Sequence, residues 1–231
     1  MSNIVKSTTF PNVFDLLMPH SCRGCGRIGN ALCERCKKYI IDAHQNICPH
    51  CKTTTASGKC TNCPNLPPSF IIGERSNLLG SVIHDYKYHS IRALSKPLAE
   101  LMHAFLPPSS HPTVIVPLPT IDRHIRSRGF DHTKLIAKHL ANLQGPNCTL
   151  SPILNRAKDT IQVGTNRSTR ISQATDAYMV DPKATINSNT TYILLDDVWT
   201  TGASMQACIK KLQQAGASKI ILAILALSRI D

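Results

Sequence analysis

Residues Thr191 to Ser204 read TYILLDDVWTTGAS, the clearest strand, turn and helix signal in the chain. The apolar run Thr191 to Asp196 is typical of a strand that is buried on both faces of a sheet. After the polar turn, Ala203 to Ala215 keep apolar side chains at helical spacing, and Gly216 follows as a typical helix stop. A strand followed by an amphipathic helix is one βα unit of a parallel sheet.

Apolar runs on both sides of this unit continue the alternation. Ile220 to Leu227 is predicted to be the next strand, and Thr113 to Val116 an earlier one. Helices are predicted over Arg92 to Leu106 and over Thr133 to Leu143. We therefore predict an α/β domain over residues 69–231, with a mainly parallel sheet flanked by helices.

The turn between the strand and the helix has the composition of a receptor for a phosphorylated sugar. Unpaired N–H groups and the positive end of the helix dipole would face an anion there. The small and hydroxyl-bearing residues of the turn are Thr200, Thr201, Gly202, Ala203 and Ser204. Two adjacent carboxylates at the strand end, Asp196 and Asp197, could bind sugar hydroxyls, or Mg²⁺ through water.

The composition of the 231 residues is that of a folded, basic protein. Apolar residues make up 42% and charged residues 17%, which excludes global disorder. Lys and Arg number 26 against 14 Asp and Glu, for a formal net charge of +12, which indicates an anionic partner. The most apolar run, Ile220 to Leu227, is far shorter than a membrane span of roughly 20 residues. We therefore predict a cytoplasmic protein with no membrane span.

Eight of the ten cysteines lie within one stretch of about forty residues and form C-x-x-C pairs. The pairs are Cys22/Cys25, Cys33/Cys36, Cys48/Cys51 and Cys60/Cys63. In a reducing compartment such pairs are typical zinc ligands, because two of them complete a tetrahedral site. An iron–sulfur cluster is the alternative. Four protein ligands per ion leave no open position, so the metal is predicted to be structural.

The four pairs could be combined in two ways. Sequential pairing puts the first two pairs on one ion and the last two on another, whereas interleaved pairing joins the first to the third. The gaps of seven and eight residues within each half favour the sequential arrangement. We predict a metal-binding module over residues 1–68 with two zinc ions, whose thiolates would lower the net charge to about +8.

The segment DDVWTTGAS closely resembles the phosphoribosyl pyrophosphate (PRPP) motif of type I phosphoribosyltransferases. In that family the two acidic residues bind the ribose hydroxyls, and the loop after them holds the 5-phosphate. The resemblance therefore implies that Asp196 and Asp197 bind ribose and that Thr200 to Ser204 bind phosphate, with Mg²⁺ accompanying PRPP. Trp199 falls at a variable position of the motif.

Nearly the whole chain is similar to the ComF/GntX family of competence-associated proteins. Members of that family join an N-terminal cysteine module to a phosphoribosyltransferase domain. The matching segments are Phe14 to Cys25, Val116 to Pro119, Arg126 to Phe130, Arg156 to Arg170 and the turn at Asp196. Family members usually have Asn-Gln after Arg-Gly-Phe, whereas this chain has Asp131 and His132.

Basic residues concentrate between Arg123 and Arg170, where nine of them accompany two acidic residues. Two loops are predicted in this stretch, one after the strand that ends at Val116 and one after Arg156. The resemblance implies that the first loop contacts pyrophosphate through Pro117, Leu118, Arg126 and Arg128. It implies that the second loop closes over the site, with Arg156, Lys158 and Arg170 as candidate members, of which Arg156 and Lys158 are the candidate catalytic residues.

Several residues have two possible roles. A solvated basic surface is the alternative for each arginine and lysine above, and Lys134 and Lys138 are predicted to be merely exposed. Lys87 and His89 could reach the sugar-phosphate site from the end of a predicted helix. Cys208 is predicted to pack within a helix, and Cys148 to lie in a loop.

Three functions remain open from the sequence. The first is a PRPP-binding protein with a zinc module in DNA uptake or processing, with single-stranded DNA and other competence proteins as partners. The second is an active phosphoribosyltransferase that moves ribose 5-phosphate from PRPP to an unidentified nucleophile. The third is a nucleic-acid-binding zinc ribbon whose second domain only senses PRPP.

Overall fold

The computed structural model describes residues 20–156 and 177–228. The strands in these ranges are β1 (His20–Ser21), β2 (Ile28–Gly29), β3 (Ser69–Glu74), β4 (Thr113–Pro117), β5 (Cys148–Leu150), β6 (Leu154–Arg156), β7 (Tyr178–Val180), β8 (Thr191–Trp199) and β9 (Lys219–Leu227). The helices are α1 (Glu34–Asp42), α2 (Asn77–Tyr88), α3 (Ser95–Phe105), α4 (Asp122–Arg128), α5 (His132–Gln144) and α6 (Ala203–Gln214), with a 3₁₀ turn at Arg92–Leu94.

The central sheet has five parallel strands in the order β3-β9-β8-β4-β5. β8 lies in the middle, paired with β9 on one side and with β4 on the other. Residues 192–195 of β8 are buried, as expected for a strand that is covered on both faces. The strand pairs β1–β2 and β6–β7 are antiparallel and lie outside this sheet. The predicted α/β class, a mainly parallel sheet flanked by helices, is confirmed.

Two strands differ from their prediction. β8 runs to Trp199 and not only to Asp196, so both carboxylates lie on the strand itself. Because side chains alternate along a strand, Asp196 and Asp197 point to opposite faces of the sheet. Cys148, predicted to lie in a loop, is the first residue of β5 and pairs with Thr113. A strand of three residues is too short for a periodic pattern to reveal it.

The helices follow their predicted bounds closely. α5 begins one residue before the predicted start, and the carboxylate of Asp131 caps it by accepting the N–H of Lys134 at 3.1 Å. The predicted helix from Arg92 to Leu106 is divided into the 3₁₀ turn and α3. Pro97 lies in the first turn of α3, where its missing N–H leaves no hydrogen bond unmade.

Helices cover both faces of the sheet. On one face α1, α2, α3 and α5 share a core with Ile193 and Leu195 of β8. On the other face α6 and the β6–β7 pair share a core with Tyr192 and Leu194. The alternation of these four buried residues shows that β8 contributes to two separate cores.

The connections leave the two neighbouring strands β4 and β8 in opposite directions. From β4 the chain passes through α4 and α5 to the edge strand β5, whereas from β8 it passes through α6 to β9. A crevice therefore opens beyond the carboxyl ends of β4 and β8, at the point where the strand order reverses. Ligands of open α/β sheets bind at such switch points.

The cysteine-rich region packs against the same layer as α2 and α3. Leu32 and Ile40 are buried in the core that α3 shares with the sheet. Lys37 of α1 forms ion pairs with Glu34 and with Glu100 of α3. Within residues 20–156 and 177–228, no helix has both the length and the apolar character required to cross a membrane.

Candidate functional site

The eight C-x-x-C cysteines form two groups in which all ligand atoms lie within 4.8 Å of one another. The first cysteine group is Cys22, Cys25, Cys33 and Cys36, and the second cysteine group is Cys48, Cys51, Cys60 and Cys63. This is the sequential arrangement that the short gaps favour, so that expectation is confirmed. The sulfurs of Cys25 and Cys33 lie 3.6 Å apart, and those of Cys51 and Cys60 lie 3.4 Å apart.

The donor set of each group fits one tetrahedral metal ion. Four sulfurs at about 2.3 Å from an ion are about 3.8 Å apart, close to the observed sulfur–sulfur spacing. Burial and the crowding of neighbouring thiols raise the pKa of Cys36 and of Cys63 to about 12. Four thiolates so close together require a cation, because like charges disfavour ionisation of the last ligand. The fit supports a structural ion in each group.

Asp197 lies on the α2 and α5 side of β8, where two nitrogens approach one of its oxygens. Lys87 Nζ lies 2.9 Å from Oδ2, and His132 Nε2 lies 2.6 Å from the same atom. Both are at ion-pair distance but outside hydrogen-bond alignment, so Oδ2 is buried without an aligned donor. Burial alone would raise the pKa of Asp197, but His132 and Lys87 outweigh it and hold this pKa well below its ordinary value.

Asp196 has the opposite electrostatic environment. It is half-buried, and its Oδ1 accepts the backbone N–H of Asp197 at 2.8 Å. Burial raises the pKa of Asp196 well above its ordinary value, and the charge of Asp197 adds to the shift. Adjacent acids whose pKa values are driven apart are typical of functional sites. Asp197 is therefore a carboxylate held by its neighbours, whereas the ionised form of Asp196 would be stabilised by a cation or by hydroxyl donors.

The turn from Thr200 to Ser204 is exposed at its hydroxyl-bearing positions and leads into α6. Gly202 has φ +76°, and a Cβ there would lie 2.1 Å from the ring of Trp199. The glycine is thus required by the buried Trp199 as well as by the backbone conformation. Ala203 donates its N–H to the hydroxyl of Thr201 at 3.4 Å. The aromatic ring at a variable motif position therefore shapes this turn.

A cleft of about 850 Å³ lies beside the carboxyl end of β4. Its charged lining residues are Asp122, Arg123, Arg126, Asp131, Lys134 and Arg156. Pro117 and Leu118 line this cleft together with Arg126. Lys134 is exposed, as predicted, but it also borders this cleft. The lining carries four basic and two acidic side chains, which favours an anion.

Arg126 and Arg128 lie on the helix α4, so the prediction that they lie in a loop is wrong. Seven residues are too few for an apolar period to indicate a helix. Arg128 points away from the cleft lining: its Nη1 donates to His132 Nδ1 at 2.9 Å. Its guanidinium also lies 5.9 Å from the ring centroid of Tyr88. The structure thus brings Arg126 to the cleft and Arg128 to His132.

The predicted closing loop lies mostly outside the described residues, which include Arg156 but not Lys158 or Arg170. Arg156 is the last residue of β6, and its guanidinium lies 5.6 Å from the ring centroid of Tyr178. Its buried Nε has no hydrogen-bond partner within the described part of the chain. Burial raises the pKa of Tyr178, and the hydroxyl of Ser204 beside it opposes that shift. Arg156 therefore lies between the cleft and the start of α6.

Lys87 reaches the carboxylate pair, as the sequence suggested, whereas His89 pairs with Asp85 at 2.8 Å. His132 contacts Asp197 directly, and the sequence interpretation assigned it no role. Its only signal was that it stands where the resembling family has a glutamine. The available clue was therefore the replacement of this glutamine by histidine, two residues after the Arg-Gly-Phe segment.

Comparison with known proteins finds relatives but no matching family model. Competence protein F of Haemophilus influenzae is 27% identical over 224 residues, covering 90% of this chain and 96% of that protein. The chain is a distant homologue of competence protein F. Competence protein ComFC of Streptococcus pneumoniae is 22% identical over 198 residues, covering 83% of this chain and 85% of that protein.

Solved structures give weaker matches. The allosteric regulatory enzyme of purine biosynthesis is 13% identical with a TM-score of 0.44, over 62% of this chain and 30% of that chain. Hypoxanthine phosphoribosyl transferase of Trypanosoma cruzi is 12% identical with a TM-score of 0.37, over 61% of this chain and 66% of that chain.

Proposed function

We propose that this homologue of competence protein F binds PRPP with Mg²⁺ at the switch point between β4 and β8. One observation carries the proposal: the acid pair near the end of β8, the hydroxyl-rich turn after it and the basic cleft beside β4 all lie towards the carboxyl ends of these two strands. A sugar with a phosphate at one end and a pyrophosphate at the other needs those three surfaces side by side.

Each part of PRPP has a proposed receptor. Asp196 and Asp197 bind the ribose hydroxyls, and the turn from Thr200 to Ser204 binds the 5-phosphate. Gly202 and the N-terminus of α6 support this assignment, because Gly202 provides no side-chain cap and the positive end of the helix dipole favours an anion. Arg126 and Arg156 in the cleft contact the pyrophosphate, together with Pro117 and Leu118 of the same lining.

We also propose the organisation of the chain. Residues 1–68 form a module that binds two structural zinc ions through the two cysteine groups, and residues 69–231 form the PRPP-binding domain. The charge crowding of each thiol group supports zinc, which accepts four sulfur ligands without redox chemistry. Metal analysis of the purified protein should give about two zinc ions per chain.

The names of the two relatives point to competence, and we propose a role in DNA uptake or DNA processing on that basis. Single-stranded DNA and other competence proteins are the proposed partners. Tyr88 supports a nucleic-acid contact, because its ring is 57% exposed and lies beside Arg128. An exposed aromatic ring next to arginine is a typical surface for stacking a base.

Phosphoribosyl transfer is the alternative function of the same site. The bond between ribose C1 and pyrophosphate oxygen would break, pyrophosphate would leave with the bonding electrons, and an acceptor nucleophile would bond to C1. The basic cleft favours this reaction, because Arg126 and Arg156 lie where negative charge would develop on the leaving group. Pyrophosphate release in the presence of candidate acceptors separates an enzyme from a binding protein.

The first prediction tests PRPP binding by calorimetric titration with Mg²⁺. The double variant Asp196→Asn/Asp197→Asn should lose about 100-fold or more in affinity, because it removes the charged acceptors for both ribose hydroxyls. The matched control Asp42→Asn/Asp181→Asn makes the same charge change at two carboxylates that are not part of the proposed site and should bind as the wild type does. Equal affinity in the first variant and the control would remove the acid pair from the site.

A further inference from the structure

We propose that Lys87 and His132 are positioning residues for Asp197: they hold its Oδ2 so that Oδ1 is presented to the ribose. The inference rests on the proposed function and extends it to two residues outside the recognised motif. Both nitrogens make their closest approach to the same oxygen, Oδ2. A carboxylate fixed through one oxygen keeps the other in a set direction, as preorganised sites require.

The contact between Arg128 and His132 determines which ring nitrogen faces the acid. Arginine has only hydrogen-bond donors, so the 2.9 Å contact from its Nη1 makes His132 Nδ1 the acceptor. A neutral imidazole with its lone pair on Nδ1 carries its proton on Nε2, the nitrogen 2.6 Å from Asp197. Arg128 thereby turns the Nε2–H side of His132 towards the carboxylate, in place of the pyrophosphate contact that the resemblance implies.

Three separate elements converge on this carboxylate. Lys87 lies in the last turn of α2, His132 begins α5 and Asp197 lies on β8. The hydroxyl of Tyr86 donates to the backbone carbonyl of His132 at 2.8 Å, which fixes α2 to the start of α5. The three side chains of the contact are all at most 16% exposed. Water is therefore largely excluded, and the geometry exists before any ligand binds.

Four variants test whether His132 acts through Asp197 or only supports the fold. His132→Leu removes both ring nitrogens, whereas His132→Gln keeps an N–H donor on a side chain of similar reach. His139→Leu is the control, because it makes the same change on α5 at a half-buried position far along the helix. Asp197→Asn supplies the partner for a double-mutant cycle.

The readouts are the affinity for PRPP with Mg²⁺ and the melting temperature of each variant. His132→Leu should weaken binding about 10- to 100-fold, because it removes one of the two close polar contacts to a buried charged group. His132→Gln should stay within about threefold of the wild type, and His139→Leu should match it. In the Asp197→Asn background, His132→Leu should change affinity by less than about twofold, because the two residues share one contact.

A spectroscopic measurement on the wild type separates this inference from the proposed function. Nitrogen-15 NMR of the imidazole should show the Nε2–H tautomer of His132 at neutral pH, and Arg128→Ala should mix the two tautomers. A wild type that does not bind PRPP but shows this tautomer refutes the proposed function and leaves the contact intact. The positioning role is refuted if the wild type binds and His132→Leu binds equally well, or if the tautomer is Nδ1–H.

Discussion

The two cysteine groups differ in how they contact the rest of the molecule. The first cysteine group shares the core of α2 and α3, where Cys22 and Cys36 are buried together with Leu32. Near the second cysteine group, the opposite core receives only partly buried side chains such as Ile47 and Leu66. The two groups have the same four-cysteine ligand set, but the first group is part of a hydrophobic core and the second only adjoins one.

Two further contacts tie the first cysteine group to α2. Arg23, within the first C-x-x-C pair, contacts Asp85 at 2.6 Å. A Cβ on Gly24 would lie 2.7 Å from the Cys36 sulfur and 2.9 Å from Leu78 of α2. The backbone of this turn therefore approaches the helix as closely as a glycine allows. Since α2 also provides Lys87, an ion bound by the first cysteine group would support the helix that reaches Asp197.

The largest difference in stability between the two cysteine groups is expected when one ligand is removed from each. Cys36→Ser should lower the free energy of unfolding by more than about 4 kcal/mol, because the ion and the buried core around it are lost together. Cys63→Ser should cost less than about 2 kcal/mol in the same global transition. Chemical denaturation with zinc analysis of each variant measures both effects. Equal costs at the two positions would contradict the difference drawn here.

A smaller effect is expected from trimming one apolar side chain beside each group. Leu32 is fully buried, so Leu32→Ala should lower the free energy of unfolding by about 3 kcal/mol. Leu66 is only partly buried, and Leu66→Ala should lower it by about 1 kcal/mol. Both variants keep every metal ligand, which isolates packing from metal binding. A larger loss at Leu66 would show that the second group is the better packed of the two.

The smallest effect concerns the ion pair between Arg23 and Asp85. Burial alone would raise the pKa of Asp85, but Arg23 and His89 outweigh it and lower this pKa. A lowered pKa adds stability above the unfolded value of about 3.9, and this stability is lost as the pH falls below that value. The melting temperature of the wild type should therefore fall more steeply than that of Asp85→Asn between about pH 5 and pH 3.

The fall in wild-type stability should be smaller than the change caused by Leu32→Ala, because the guanidinium of Arg23 is partly exposed and solvent screens the pair. The control Asp42→Asn removes an exposed carboxylate of α1 and should leave the acid slope as in the wild type. If the melting temperatures of Asp85→Asn and of the wild type fall equally steeply with pH, the ion pair between Arg23 and Asp85 adds no stability.

The sheet strands and helices with long apolar periods could be predicted from the sequence. β8, α6 and β9 follow one another with clear patterns, so their order and type are confirmed. Among the elements that the sequence did not indicate, α4 has seven residues and β5 has three. In such short elements tertiary contacts determine the conformation, and local pattern carries little information.

Most of the candidate site residues that could be identified from the sequence lie in one contiguous segment. The turn after β8 contains its acids, hydroxyls and glycine in one segment, so the residue types alone indicate phosphate and sugar. His132 and Lys87 meet Asp197 from other helices, and no spacing in the chain relates these three positions. The orientation of Arg128 towards His132 also depends on how α4 packs, which a sequence pattern does not encode.

The pairing of β3 with β9 has a consequence for the order in which the protein forms. Ser69 pairs with Leu222, about 150 residues later in the chain. During synthesis the first cysteine group emerges early, and Leu32 and Ile40 beside it are then still exposed. The strand β9, which pairs with β3, is made much later. Contacts of such high sequence separation slow folding and leave apolar surface exposed meanwhile. Early metal capture would keep that region compact while the ribosome finishes β9.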